Sequence, residues 1–151
     1  MKEIRTEIAL EAPIERIWEL LSDFSLYPHW NPLFEKVTQS AVSGDIFELV
    51  VHLPEIGPFT VKPKLLKLEP KSKFWWQSKL LFDGLLTWTF CCELEVHSPD
   101  RLKFIQRSQF KGLLAPIFDF GMTTSVTSGM EQLNQAVQRW GEKGNVQCLR
   151  C

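Results

Sequence analysis

The 151-residue sequence has little of what several functional classes require. It has no surplus of positive charge, because 17 Lys and Arg residues stand against 18 Asp and Glu residues. Nucleic-acid binding by phosphate neutralisation needs such a surplus, so no nucleic-acid partner is expected. No run of about 18 apolar residues occurs, and the first residues alternate in polarity unlike a secretory signal. We therefore expect a cytoplasmic protein without a membrane span.

Residues for metal, redox or nucleophilic chemistry are also sparse. Cys91 and Cys92 are neighbours in an apolar strand pattern, so their side chains should point to opposite faces and not bridge. Cys148 and Cys151 form a single C-x-x-C, whereas a zinc site wants four ligands. No Ser-His-Asp elbow or phosphate-binding glycine loop is present. The sequence predicts no metal and no cofactor.

Aromatic residues are plentiful, but nearly all of them are Phe or Trp. The chain has eleven Phe and six Trp but a single Tyr. Because Phe has no polar group, such a set suits surfaces that are kept away from water. A large apolar interior is therefore expected, and whether it is solid or hollow is the functional question.

The first fifth of the chain reads as a strand followed by two short helices. Apolar residues alternate from Ile4 to Leu10, the period of a half-buried strand. After Pro13, helical spacing predicts a first helix ending near Ser22. Pro28 lies in the segment that follows and Pro32 comes four residues later, so only one short helical turn and a fixed loop are expected there.

The remaining chain reads as six strands and one long helix. Alternating segments separated by turn residues run from Phe34 to Lys111, and one of them covers 59–65. Helical spacing then predicts a helix from about Leu114 to Trp140, with Gly141 as its C-cap. Two internal glycines, at positions 121 and 129, would mark a kink or a close approach to the sheet.

These elements predict one α+β domain over residues 1–141 and a flexible tail over 142–151. A seven-stranded, curved antiparallel sheet would surround the long C-terminal helix, with two short helices after strand 1. Because a curved sheet cannot touch a straight helix along its whole length, a gap arises between them. That gap is either a filled core or a ligand cavity.

Two segments resemble the polyketide cyclase/dehydrase branch of the START-like (Bet v 1-like, SRPBCC) superfamily. The first is Ala12–Phe24 followed by Tyr27–Pro32, and the second is Phe104–Pro116. The resemblance implies a helix-grip fold that binds apolar or amphipathic small molecules between sheet and helix. It also implies that a His and a Glu often lie in the cavity; Trp88 and Ser108 stand at those places here. An acid–base role for these two positions is therefore not expected.

The candidate ligand-binding residues are those that should face the interior. They are Trp30, Phe47, Phe59, Trp76, Trp88, Phe90, Phe104, Gln106, Ser108, Met130 and Leu133. Gln106 and Ser108 are the polar members, and when buried they need water, a neighbour or a ligand as a partner. Trp30 is expected to close one end of the cavity, while Asn31 is expected to cap backbone groups of its loop.

Three functions follow from this interpretation. The favoured one is binding, transport or sequestration of a hydrophobic small molecule in the cavity. The alternative is a polyketide cyclase or dehydratase that uses the same cavity walls to preorganise its substrate. A third is an interaction module, because the apolar hairpin tip Leu80–Leu86 would suit an entrance gate, a homodimer contact or an edge that touches a membrane.

Overall fold

The computed structural model describes residues 2–38, 46–80, 85–116 and 122–143. Within these ranges the α-helices are α1 (Ile14–Ser22), α2 (Tyr27–Trp30) and α3 (Met122–Gln138). The strands are β1 (Lys2–Leu10), β2 (Phe34–Val37), β3 (Leu49–Leu53), β4 (Gly57–Val61), β5 (Lys64–Glu69), β6 (Lys73–Lys79), β7 (Thr87–Ser98) and β8 (Arg101–Lys111). A 3-10 turn at Phe24–Leu26 precedes α2, and a π-helical turn at Arg139–Lys143 follows α3. No helix of the described ranges is long and apolar enough to span a membrane.

The larger sheet has five antiparallel strands in the order β1-β8-β7-β6-β5. Burial alternates along β6 and through most of β7, so one face of the sheet is closed and the other is open to solvent. Helix α3 covers the closed face with apolar residues at helical spacing, including Val126, Met130, Leu133 and Val137. The predicted α+β helix-grip fold is confirmed in its class.

The prediction of seven strands in one sheet was wrong in count, because the segment 59–65 is divided between two sheets. Its first part is β4, in a three-stranded sheet of order β2-β3-β4, and its second part begins β5 of the larger sheet. Pro63 lies at the division and has no N–H to donate to a ladder. Its carbonyl accepts a hydrogen bond from the Phe47 N–H at 3.1 Å, and an isolated Ile46–Lys64 bridge follows. The result is eight strands in the described residues, arranged as two sheets.

The long helix also differs from its prediction at its start. Residues 112–116 form a turn instead of helix, residues 117–121 lie outside the described part, and α3 is described from Met122 onward. The prediction for Gly121 therefore also lies outside the described residues. Gly112 has a φ of +123° and Pro116 disfavours the helical conformation of the residue before it, so both oppose a helix here.

At its other end, helical structure continues past the predicted stop at Gly141 to Lys143. Gly141 is therefore not a C-cap, and a close contact explains it instead. A Cβ at this position would lie 2.2 Å from the Ile17 Cδ1 atom of α1. Gly129 has a similar role, since its Cβ would lie 2.9 Å from the Leu33 Cδ1 atom. The predicted close approach of helix and sheet at position 129 is confirmed.

Candidate functional site

A pocket of about 490 Å³ lies where the two sheets and the start of α3 come together. Its volume falls within the range of about 300–1,000 Å³ that small-molecule sites occupy. The lining residues come from strands, from the β6–β7 connection, from the turn after β8 and from α3: Leu53, Phe59, Thr60, Val61, Leu80, Leu86, Trp88, Phe110, Leu114, Met122 and Val126. The interior is thus hollow at one end.

Backbone hydrogen bonds fix the walls formed by loops. The Leu80 N–H donates to the Leu86 carbonyl at 3.0 Å, which joins the two sides of the β6–β7 connection. The Leu114 N–H donates to the Leu85 carbonyl at 2.9 Å, so the turn after β8 is held against that connection. This approach requires glycine at position 112, where a Cβ would lie 2.3 Å from the Leu85 carbonyl oxygen. The pocket wall is therefore preformed by main-chain geometry.

A further hydrogen bond connects the helix wall to the smaller sheet. The Ser125 hydroxyl donates to the carbonyl of Pro54 at 2.9 Å. Pro54 follows β3, and Ser125 precedes the lining residue Val126 by one position. The first turns of α3 are thus attached directly to the end of the β3–β4 hairpin, opposite the larger sheet.

The floor of the pocket is an aromatic cluster. Trp88 stacks on Phe110 with ring centroids 5.6 Å apart, and the two residues are directly paired between β7 and β8. Behind Trp88, Trp76 meets it edge to face at 5.0 Å and stacks on Phe90 at 5.3 Å. Phe34 closes the cluster against Phe90 at 4.8 Å. Such pairs stabilise the core beyond their burial, so the floor is a packed part of the core.

Beyond this floor the sheet and the helix are in direct contact. The fully buried Gln106 side chain donates from Nε2 to the Met130 carbonyl at 2.7 Å and to the Asn134 Oδ1 at 2.8 Å. The Ser108 hydroxyl contacts the Met130 sulfur at 3.4 Å. The two polar residues predicted to need a partner therefore find it in α3. Together they fasten the helix to the sheet in the closed half of the interior.

The loop after α2 is also held by a buried polar side chain. Asn31 Oδ1 accepts from the Leu33 N–H at 3.0 Å and from the Phe34 N–H at 2.8 Å. The predicted capping role of Asn31 is confirmed. Trp30 is buried and packs edge to face on Tyr27 at 5.5 Å. It does not line the pocket, so its predicted place at the cavity end differs from its place in the core.

Only part of the predicted ligand-binding set reaches the pocket. Phe59 and Trp88 line it. Seven others lie in the packed interior or in the aromatic cluster: Phe47, Trp76, Phe90, Phe104, Gln106, Ser108 and Met130. Leu133 is a buried residue of α3, and Trp30 is the last residue of α2. Whether any of these residues contacts a ligand stays a prediction.

The sequence did not identify nine of the lining residues, for a common reason. Alternation of apolar residues tells which face of a strand is buried but not which end of the strand borders a cavity. Leu53 ends β3, Phe110 is the penultimate residue of β8, and Leu80 follows β6 directly. The sequence signal that could have identified these residues is the cluster of apolar residues at strand ends and turns, which is unusual for exposed connections.

The described lining residues carry no ionisable side chain. The histidine–carboxylate pairs of the described residues lie elsewhere: His52 contacts Glu35, and His97 lies 3.4 Å from Glu95, all on exposed positions. Cys92 is buried on the inner face of β7, and burial raises the pKa of its thiol well above the ordinary value. The arrangement can enclose an apolar molecule, but the described walls offer no acid or base to react with it.

Several solved structures of other proteins resemble this fold. A START superfamily protein from Mycobacterium smegmatis superposes with a TM-score of 0.71 at 16% identity, covering 92% of this chain and 96% of that one. The di-domain ARO/CYC BexL from the BE-7585A biosynthetic pathway gives 0.72 at 14% identity, covering 93% of this chain and 47% of that one. A Thalictrum norcoclaurine synthase point mutant, in complex with a transition-state analogue, gives 0.69 at 16% identity over 91% and 92% of the two chains. These likenesses show the fold.

No curated protein matches the sequence significantly. A family model does match it, over residues 1–139. That model describes the group called "Polyketide cyclase / dehydrase and lipid transport". Because the match spans both sheets and reaches the end of α3, the chain belongs to this polyketide cyclase/dehydrase and lipid transport family.

Proposed function

We propose that the protein binds a small hydrophobic molecule in the pocket between its two sheets and the start of α3. The observation that carries this proposal is the contrast within one interior. Near Gln106 the helix and sheet are fastened together, whereas about 490 Å³ is left open between Trp88 and Val126. Transport or sequestration of the bound molecule is the role that such a pocket would serve.

The size and chemistry of the pocket set the expected affinity. A ligand that buries about 300 Å² of apolar surface gains roughly 7 kcal/mol before the costs of association. Because the described walls provide no ion pair, we expect a dissociation constant in the micromolar range or weaker. An uncharged ligand is favoured, since an isolated charge would lose its hydration without a partner.

Two matched valine variants test the location of the site. Val126 lines the pocket, while Val137 is equally buried farther along α3 and does not. Val126→Ala enlarges the pocket and should shift binding toward the larger members of a series of neutral naphthalene dyes. Val137→Ala should lower stability similarly, by about 1–2 kcal/mol, without changing that preference. Absence of saturable binding to the wild type, or the same shift in both variants, would contradict the proposal.

The alternative function is cyclase or dehydratase chemistry, which the family description includes. It would have to proceed by preorganisation of the substrate against the walls, because no described lining residue is an acid or base. Turnover of a poly-β-keto substrate that Met122→Trp abolishes would support this alternative. Saturable binding without turnover would favour the carrier role.

Several further expectations belong to the same proposal. We further propose that the chain forms one ligand-binding domain, predicted over residues 1–141, whose last helical turn extends to Lys143. We also propose a cytoplasmic location, in which the free thiols of Cys91 and Cys92 are stable. Residues 81–84 of the apolar tip lie outside the described part. A homodimer through that tip remains a prediction, and size-exclusion chromatography at several concentrations tests it.

A further inference from the structure

One wall of the pocket is the edge of a sheet. In the order β2-β3-β4, strand β4 pairs with β3 on one side and with no strand of the described residues on the other. Phe59 and Val61 turn their side chains inward, while the Thr60 side chain between them is exposed. Thr60 nevertheless lines the pocket. The direction of its main chain therefore decides what this edge can offer a ligand.

The direction of the Thr60 main chain follows from the hydrogen bonds of β3. The His52 N–H donates to the Leu33 carbonyl at 2.8 Å, so the backbone of His52 points toward β2. Because main-chain groups alternate along a strand, those of Val51 point toward β4. Val51 pairs with Phe59, whose backbone accordingly points toward β3. The N–H and C=O of Thr60 therefore point to the free edge of β4.

Two prolines agree with this assignment. Pro58 has the same parity as Thr60, and at a free edge its missing N–H leaves no gap in a ladder. Pro63 has the opposite parity, and its carbonyl accepts from the Phe47 N–H on the β3 side. No described residue pairs with the N–H or C=O of Thr60. Among the described residues, the N–H and C=O of the lining residue Thr60 thus form one unpaired donor and one unpaired acceptor, spaced as in an extended strand, beside apolar walls.

We infer that this edge selects hydrophobic molecules that carry one extended amino-acid unit, of the N-acyl amino-acid amide class. The N–H of that unit would donate to the Thr60 carbonyl, and its carbonyl would accept from the Thr60 N–H. Addition of a strand-like segment to a sheet edge is a general mode of recognition. The acyl chain and side chain would fill the space beside Phe59, Val61 and Trp88. This inference rests on the proposed function, because it names the ligand class for the same pocket.

A pair of probes tests the inference on the wild-type protein. One is N-hexanoyl-leucine naphthylamide, and the other replaces its leucine N–H by an ester oxygen. The amide should bind about threefold to tenfold more tightly, the effect of one hydrogen bond. Equal affinities would overturn the inference while leaving the proposed function intact. If neither compound binds but a neutral naphthalene dye does, the inference is also overturned; if the dye fails as well, the proposed function fails with it.

Two substitutions at position 60 separate main chain from side chain. Thr60→Pro removes the N–H on an edge where proline is tolerated, and should weaken the amide and ester probes alike by about threefold or more. Thr60→Val removes the hydroxyl but keeps the main-chain N–H and C=O, so it should weaken both probes less than Thr60→Pro does. Equal weakening by the two variants would assign the effect to the side chain and overturn the inference. The amide–ester comparison on the wild type stands if Thr60→Pro does not fold.

Discussion

The polar contact between Gln106 and α3 allows a quantitative test of how the closed half of the interior is held. Gln106 Nε2 donates to the Met130 carbonyl and to the Asn134 Oδ1, and both Gln106 and Asn134 are buried. Gln106→Met preserves the shape but removes both hydrogen bonds. It also leaves a buried Asn134 oxygen without its donor, which costs about 1–3 kcal/mol. Since the unpaired Gln106 Oε1 disappears at the same time, we expect a net loss near 2 kcal/mol.

The double variant Gln106→Met/Asn134→Leu should recover most of this loss. Replacing both partners by apolar groups of similar shape is nearly neutral, so the double variant should lie within about 1 kcal/mol of the wild type. Asn134→Leu alone should cost about 1 kcal/mol, because Gln106 keeps its bond to the Met130 carbonyl. The loss of stability in the double variant should therefore be smaller than the sum of the two single losses, which would show that the two side chains are strongly coupled.

Urea unfolding followed by tryptophan fluorescence measures these free energies. The slope should stay constant among the variants while the midpoint moves, because the surface exposed on unfolding does not change. Additive losses in the double variant would refute the reasoning, since they would mean that the two side chains do not depend on each other. A neutral Gln106→Met variant would refute it as well.

Three further predictions concern other parts of the molecule. Gly112→Ala should lower thermal stability strongly, because its Cβ would lie 2.3 Å from the Leu85 carbonyl oxygen. The control Gly57→Ala has a φ of +91° but open space around the added Cβ, so it should cost only about 1 kcal/mol. Equal losses of stability in the two variants would contradict this account. Burial raises the pKa of Tyr27, so the folded state holds that proton more tightly than the unfolded chain, and stability should fall as pH rises above about 10. Tyr27→Phe should flatten this alkaline decline in urea titrations; an unchanged slope would show that Tyr27 is not its source. Burial also raises the pKa of Cys92, so iodoacetamide should modify it slowly in the native protein and fast in urea; comparable rates would argue against its burial.

Much of the fold could be predicted because local signals agree with tertiary structure. The alternation in β6 and β7, the helix after Pro13 and the capping role of Asn31 all follow from patterns of a few residues. The division of the segment 59–65 could not be predicted, since alternation continues across Pro63 and only the pairing partners change. The prediction of Gly141 as a C-cap was wrong for a similar reason. A glycine near a helix end suits a C-cap, and the Ile17 side chain that requires it lies far away in sequence.

The pocket shows more clearly that local sequence patterns do not place residues along a strand or a helix. Trp88 and Phe59 were predicted to face the interior, and they do line the hollow end. Gln106 has the same parity as a lining residue, yet it is tied to α3 through a carbonyl and an amide 24 and 28 residues away in sequence. Such a contact depends on where the helix lies along the strand, which periodicity does not encode. Thr60 was missed because alternation places its side chain on the exposed face of β4.

The central claim is that a hydrophobic molecule binds where Met122 begins α3. Met122 lines the pocket, whereas Glu131 is exposed on the same helix away from it. A titration with a neutral naphthalene ketone dye should therefore saturate for the wild type and for Glu131→Trp. For Met122→Trp, whose indole would fill the pocket, the affinity should drop at least about tenfold, as expected when an apolar ligand loses most of its buried surface. Saturable binding of equal strength to all three proteins, or to none, would contradict the account.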